Sequence, residues 1–398
     1  MHLLVIGCKE HEGGMLGELA EYISDLTIIY HDHLGEDVDL SEISAVLVSQ
    51  EWKESTRMSI KCAQDSGLPV VYLMDGVIEW DYVWNNQSFV RPERATVLQP
   101  LLSDFLCVIG QHPARILAGL GLTEKIRLVG IPRLDASPRT SQSIASNKPS
   151  VLVTTAKTAS HNVAQDIAVV EALQDLQDYF SNQAEVDVVW RVDAGLAQRL
   201  GIPASASSME EDLHVASGVI SFTSTCLLES MLMQIPTAQV DYRSCPGYVT
   251  TAWNIHSKKD IASVVQELLY PPENMMAYQS LCLEDELTNA GAATEALAAV
   301  LREACAGQLK EQSRYVVAPE FPGAAMDFRR AHPQISSFSV ADGAKVQYLL
   351  DAAYRLQQKQ RALLTTPPFK ILRILVGLFG WLPGFRKAAK LQQDLDKM

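Results

Sequence analysis

Residues Val219 to Tyr248 read V-I-S-F-T-S-T-C-L-L-E-S-M-L-M-Q-I-P-T-A-Q-V-D-Y-R-S-C-P-G-Y, and this stretch decides the fold. Val219 to Phe222 is a short apolar run of strand length, bounded by a hydroxyl triplet, Thr223-Ser224-Thr225. The spacing then predicts a helix over Cys226 to Met233 and a second buried strand from Thr237 to Val240, ending at Asp241. Ser and Thr are helix-capping residues, and a helix N-terminus carries N–H groups and a partial positive charge that suit phosphate. Glu229 falls one turn inside the helix, within reach of a ribose hydroxyl beside that phosphate. A strand, a hydroxyl turn, a helix and an acidic residue in this order make a candidate site for a phosphate and its ribose. The same triplet also suits a capped, buried helix with no ligand.

Outward from this unit, short apolar runs alternate with helical stretches. In the first half the runs are 3–6, 26–29, 45–48, 70–73, 105–109 and 126–129, with helices expected over 15–23, 54–66 and 112–120. In the second half they are 151–154, 186–192, 218–222 and 237–240, with a helix over 162–181 and helices over 261–269, 273–281 and 293–304. Continuous Val/Ile/Leu runs separated by helices imply parallel sheets covered on both faces. The expected class is therefore α/β, with two Rossmann-like doubly wound domains facing a cleft and a helical C-terminal extension. The expected boundaries are 1–137 (first Rossmann-like domain), 138–150 (a Ser/Thr/Pro/Asn-rich linker), 151–305 (second Rossmann-like domain), 306–364 (loop and helix) and 365–398 (tail).

With 398 residues, 47% of them hydrophobic, the chain has the composition of a globular protein with a sizeable core. Its formal charge of −14 opposes a nucleic-acid-binding surface. Seven scattered cysteines without a C-x-x-C pair fit reduced thiols in a cytosolic protein. The N-terminal M-H-L-L-V-I-G reads as a strand rather than a signal peptide, and no apolar run reaches the roughly 18 residues of a membrane span. His31-Asp32-His33 lacks a third ligand at metal spacing, and no D-x-D or G-x-G-x-x-G motif occurs at the relevant strand ends, so no metal or other cofactor is expected.

The tail carries F-K-I-L-R-I-L-V-G-L-F-G-W-L-P-G-F-R-K-A-A-K after Pro367-Pro368. It is basic and apolar on an acidic protein. That composition suits an interfacial helix on an anionic leaflet, and equally a helix packed on the first domain.

Further candidates stand just after strands, where open parallel sheets bind ligands. Gly130-Ile131-Pro132-Arg133-Leu134-Asp135 follows one; Arg133 pairs either with Asp135 or with a phosphate. Asp75-Gly76-Val77-Ile78-Glu79-Trp80 follows another, with Asp75 or Glu79 as a proton acceptor and Trp80, Tyr82 and Trp84 as stacking faces for sugar rings. Thr155 and Lys157 follow the first strand of the second domain, and Arg191 ends the next; all three are candidates for phosphate.

The G-I-P-R-L-D element, the Ser103-Asp104-Phe105 and Gly110-Gln111 segments before it, and the S/T–helix unit together resemble the GT-B glycosyltransferases of bacterial surface-polysaccharide biosynthesis, including CDP-glycerol phosphotransferases and capsule Kdo- and sialyltransferases. The resemblance implies transfer of a sugar from a nucleotide-activated donor, CMP-linked such as CMP-Kdo, to a glycan or lipid-linked acceptor. It implies a cytoplasmic enzyme, peripheral on the inner membrane, needing no metal. Thr155, Lys157, Arg191, Thr223, Ser224, Thr225 and Glu229 would bind the nucleotide. Trp80, Tyr82, Trp84 and Arg133 would meet the acceptor, and Asp75, Glu79 and Asp241 are the catalytic carboxylates. Many relatives carry H-G where this chain has Asp75-Gly76. A polyol-phosphate transferase, a nucleotide-sugar epimerase and a non-catalytic scaffold are the alternatives on the same fold.

Overall fold

The computed structural model describes residues 1–34, 38–51, 53–78, 98, 101–137, 148–157, 159–160, 163–242 and 249–307. Glu79, Trp80, Tyr82 and Trp84, most of the expected linker, the segment beyond 307 and the tail 365–398 lie outside the described residues.

All six apolar runs of the first half become strands: β1 (His2–Ile6), β2 (Thr27–His31), β3 (Ala45–Val48), β4 (Val70–Leu73), β5 (Phe105–Val108) and β6 (Ile126–Leu128). They form one parallel sheet in the order β2-β1-β3-β4-β5-β6. Their runs are apolar without alternation because both faces are covered. On one face Leu4, Val46, Val70 and Leu106 pack with Ile60 and Ala63 of α3 (Glu54–Asp65) and Leu117 of α4 (Gln111–Leu117). On the other, Leu3, Val5, Leu47 and Leu73 pack with Leu16 and Leu19. Two four-residue helices, α1 (Lys9–Glu12) and α2 (Leu19–Tyr22), lie in the β1–β2 connection. The single helix expected over 15–23 is split around Gly17, where a Cβ would fall 2.4 Å from Thr294 Oγ1.

The second sheet holds β7 (Ser150–Thr154), β8 (Asp187–Arg191), β9 (Gly218–Ser221), β10 (Thr237–Val240) and β11 (Trp253–Ile255), all parallel, in the order β11-β10-β9-β7-β8. α5 (Val163–Phe180) covers one face through Val169, Leu173 and Leu176. α6 (Ala194–Leu200) and α7 (Met209–Val215) fill the β8–β9 connection, and both, like β11, are absent from the sequence reading. α7 starts on a capping box between Ser208 and Glu211.

Two helices tie the sheets together. α8 (Cys226–Leu232) follows β9, yet Leu227, Leu228, Met231 and Leu232 join the core of the first domain. A helix that is apolar all round must be buried on every side, and α8 is, lying between the domains. Glu229 is its one residue that is not buried. After α9 (Lys258–Leu269) and α10 (Glu273–Glu286), the chain returns to the first sheet. There α11 (Ala293–Cys305) buries Leu297, Ala298, Leu301 and Ala304 against Leu3, Val5 and Leu47. The last helix of the 151–305 segment thus packs on the first sheet.

α4 and α10 meet along a polar seam between the domains. Arg115 binds Asp285 through two bonds of 2.7 and 2.6 Å, and His112 Nδ1 lies 2.5 Å from Glu286 Oε1, which also accepts the Thr250 N–H. The hydrogen bond to Glu286 raises the His112 pKa above the ordinary histidine value, against the opposing effect of burial. A raised histidine contributes stability that is complete below its unfolded pKa, about 6.5, and is lost as pH rises through the folded value. The urea midpoint should therefore fall as pH rises above that range, and the fall should be smaller in His112→Gln. Identical pH slopes in the two proteins would contradict a contribution from this seam.

Candidate functional site

In an open parallel sheet the ligand crevice lies where successive connections run off in opposite directions. In the second sheet that point is between β7 and β9, because β8 lies on one side and β10 and β11 on the other. Thr154-Thr155 and the Thr223–Thr225 turn flank it.

The turn is organised differently from the expectation. Ser224 Oγ accepts the Cys226 N–H at 3.2 Å, and the Leu227 and Leu228 N–H groups bond to the carbonyls of Ser224 and Thr225. The first-turn N–H groups of α8 are therefore already taken, which corrects the reading of an open helix N-terminus. The N–H groups of Thr223, Ser224 and Thr225 donate to no described residue, and all three residues are half-buried. Anion-binding capacity thus sits on the turn itself. Consecutive turn N–H groups form such a concavity without help from a helix.

Thr225 reaches across to the first domain. Its Oγ1 accepts the Val77 N–H at 3.4 Å, and a Cβ on Gly76 would fall 2.1 Å from that oxygen. Only glycine allows the two loops to touch here. Asp75, exposed just after β4, stands beside the contact.

A second bridge joins the same two regions. Glu229 Oε1 accepts from Arg133 Nη1 at 2.6 Å, with side-chain exposures of 17% and 32%. The expected alternative partner of Arg133, Asp135, does something else. It accepts from the N–H groups of Ala293 and Thr294 (3.0 and 2.7 Å) and from Thr294 Oγ1 (2.6 Å), which caps α11. Capping is the stronger use of a carboxylate at a helix start, because three donors converge on it.

On the α5 side of the turn, a small open cavity is lined by Gln165, Val169, Phe222, Thr223, Asp241 and neighbours. It is a shallow recess that mixes polar and apolar side chains. Asp241 is buried at its edge; its N–H bonds to Ile255 and its carbonyl faces His256 Nδ1. Tyr242 beside it donates to Asp175 at 3.0 Å, and burial together with that carboxylate pushes its pKa up.

The structure therefore gathers Asp75, Arg133, Thr223, Ser224, Thr225, Glu229 and Asp241 around one cleft. The remaining candidates stand differently. Thr155 is buried, its hydroxyl donating to the Ala156 carbonyl and accepting the Asp193 N–H at 2.8 Å, so it fastens the β7 and β8 loops together. Lys157 is exposed in the same loop. The Arg191 guanidinium is held by Asp212 at 3.0 Å and by the Ser207 carbonyl at 2.5 Å, where it anchors α7. Gln165, which lines the cavity, is missing from the sequence reading; one glutamine on a long helix gives no local signal of a pocket.

No protein-family model matches the chain, and no curated protein does. Solved structures do match. The UDP-GlcNAc 2-epimerase of Methanocaldococcus jannaschii in complex with UDP-GlcNAc and UDP is 14% identical over 76% of this chain and 100% of that one, with a TM-score of 0.53. The S. aureus MnaA–UDP co-structure is 15% identical over 78% and 98%, with a TM-score of 0.50. The wall teichoic acid polymerase TagF is 10% identical over 78% and 90%, with a TM-score of 0.43. At these identities the likeness is one of fold: the chain has the GT-B architecture of two Rossmann-like domains facing a cleft.

Proposed function

We propose that this chain binds a nucleotide-activated sugar in the interdomain cleft and transfers the sugar to an acceptor hydroxyl in surface-glycan synthesis, as a metal-independent GT-B glycosyltransferase. The observation that carries the reading is the convergence of both domains on one turn: Val77 on Thr225 and Arg133 on Glu229, with Asp75 alongside. Structures of the same fold hold UDP and UDP-GlcNAc, which supports this ligand class.

In this reading the open N–H groups of Thr223 to Thr225 and the Lys157 ammonium meet the donor phosphate. Glu229 accepts from the ribose hydroxyls. Asp241, beside the small cavity on the α5 side of the turn, orients the hydroxyls of the sugar. Asp75 takes the proton of the acceptor hydroxyl as its oxygen bonds to the anomeric carbon. The bond from that carbon to the phosphate oxygen breaks, and its electron pair leaves with the nucleotide. The turn N–H groups then face the charge that develops on the departing phosphate, which is where preorganised donors are most effective. Domain apposition keeps water from the donor.

The test is product analysis. The purified chain is incubated with CMP-sialic acid, UDP-GlcNAc and CDP-glycerol, with glycan acceptors or with water alone. The expected result is release of a nucleoside phosphate from one sugar donor, faster with acceptor than with water. Recovery of an epimerised nucleotide-sugar with no nucleotide released would overturn transfer in favour of an epimerase. Turnover of CDP-glycerol alone would assign a polyol-phosphate transferase.

A further inference from the structure

We infer that Arg133 is a positioning residue that makes Glu229 a selective receptor for the ribose 2′,3′-diol, so that a ribonucleotide is read only when the two domains are apposed. The inference rests on the nucleotide reading above and adds to it a residue role and a specificity.

Arg133 is rigidly presented. It sits in a one-turn 3₁₀ helix, Pro132–Leu134, right after β6. Pro132 and Leu134 are buried on either side of it. Upstream, Gly130 has φ +91° and lies against the Thr288 carbonyl; downstream, Asp135 is fastened to the start of α11 by three hydrogen bonds. The G-I-P-R-L-D element is thus clamped at both ends by the crossing segment, and Arg133 is the member whose side chain leaves the clamp.

Its partner is equally singular. Every other residue of α8 is buried, so Glu229 is the only side chain that the helix offers to the cleft. The 2.6 Å contact joins Arg133 Nη1 to Glu229 Oε1. Among the described residues, Oε2 has no hydrogen-bond partner. A carboxylate accepts several hydrogen bonds, and a diol presents two donors side by side. With one oxygen held by the guanidinium, the other is fixed in direction. An untethered glutamate would have to lose rotamer freedom on binding, and the ion pair removes that loss beforehand. The tether comes from the first domain and the carboxylate from the second, so capture of the diol and apposition of the domains reinforce each other. The pair is only partly exposed, and Asp75 and Asp241 are the other described ionisable candidates around this cleft.

The experiment is calorimetric titration of the full chain with UDP and CDP and with their 2′,3′-dideoxy analogues. It compares the wild type with Glu229→Gln, Arg133→Ala and Arg133→Lys. The wild type should prefer the ribonucleotide about tenfold or more, the range of a hydrogen bond to a charged group. Glu229→Gln and Arg133→Ala should both lose most of that preference. Arg133→Lys should recover part of it, because one N–H donor suffices for a contact made through a single nitrogen. A merely structural arginine would weaken ribose and dideoxy ligands alike. Unchanged preference in Arg133→Ala, with preference lost in Glu229→Gln, would overturn the role of Arg133 and leave the nucleotide site standing. A wild type that binds both forms equally would overturn this inference alone, and one that binds neither nucleotide would overturn the site together with it.

Discussion

Asp75→Asn is expected to lower sugar transfer by about 10²- to 10⁴-fold, the range for loss of a general base, and to leave nucleotide affinity unchanged. The substitution keeps shape and removes only proton acceptance. Asp75 is exposed, so the folded state does not depend on its charge. It follows β4 directly, two residues before the Val77 N–H that contacts Thr225, so its carboxylate belongs to the first domain yet borders the turn of the second. In the proposed reaction this aspartate is the base. Full transfer activity in Asp75→Asn would move that role elsewhere, with Glu79, four residues on in the sequence, the next candidate. Loss of nucleotide binding would instead make Asp75 part of the donor site.

Gly130→Ala carries the largest expected cost in stability, about 2–6 kcal/mol, from backbone strain and overpacking together. At φ +91° an alanine is strained before any contact is considered. Its Cβ would also lie 2.4 Å from the Thr288 carbonyl oxygen and 3.0 Å from the Ala293 Cβ. Neither can yield cheaply. The Thr288 N–H is bonded to Ile109 at 2.8 Å, and Ala293 opens α11. Relief would pull the crossing segment off the ends of β5 and β6. Urea unfolding measures the loss, and an unchanged midpoint would show that this segment does not hold the first domain in place.

The two sheets were legible because most of their strands are short runs rich in buried Val, Ile, Leu and Ala set between helical stretches. β11 was not, because it has three residues with exposed Asn254 in the middle. α6 and α7 are each seven residues long and end before a helical period can declare itself, although the Ser208–Glu211 capping pair was there to be read. At the candidate site, the sequence marks residues but not their partners. Arg133 and Asp135 are two apart in sequence and invite an ion pair, but each finds a better partner far along the chain: Glu229 for one, the start of α11 for the other. Likewise the hydroxyl triplet marked the turn, but only the fold shows that Ser224 closes the helix start while Thr225 faces the other domain. Local chemistry marks candidate residues; long-range packing decides what each one touches.

The central claim is that the cleft binds a nucleotide, and a thermal-shift panel of CMP, CDP, UDP, GDP and TDP tests it most directly. A ligand at about 100 times its dissociation constant stabilises the folded state by about 2.7 kcal/mol. The predicted result is a selective upward shift with one base, retained by Asp75→Asn and reduced in Glu229→Gln. Equal, flat responses to all five nucleotides would contradict a nucleotide site at the Thr223–Thr225 turn.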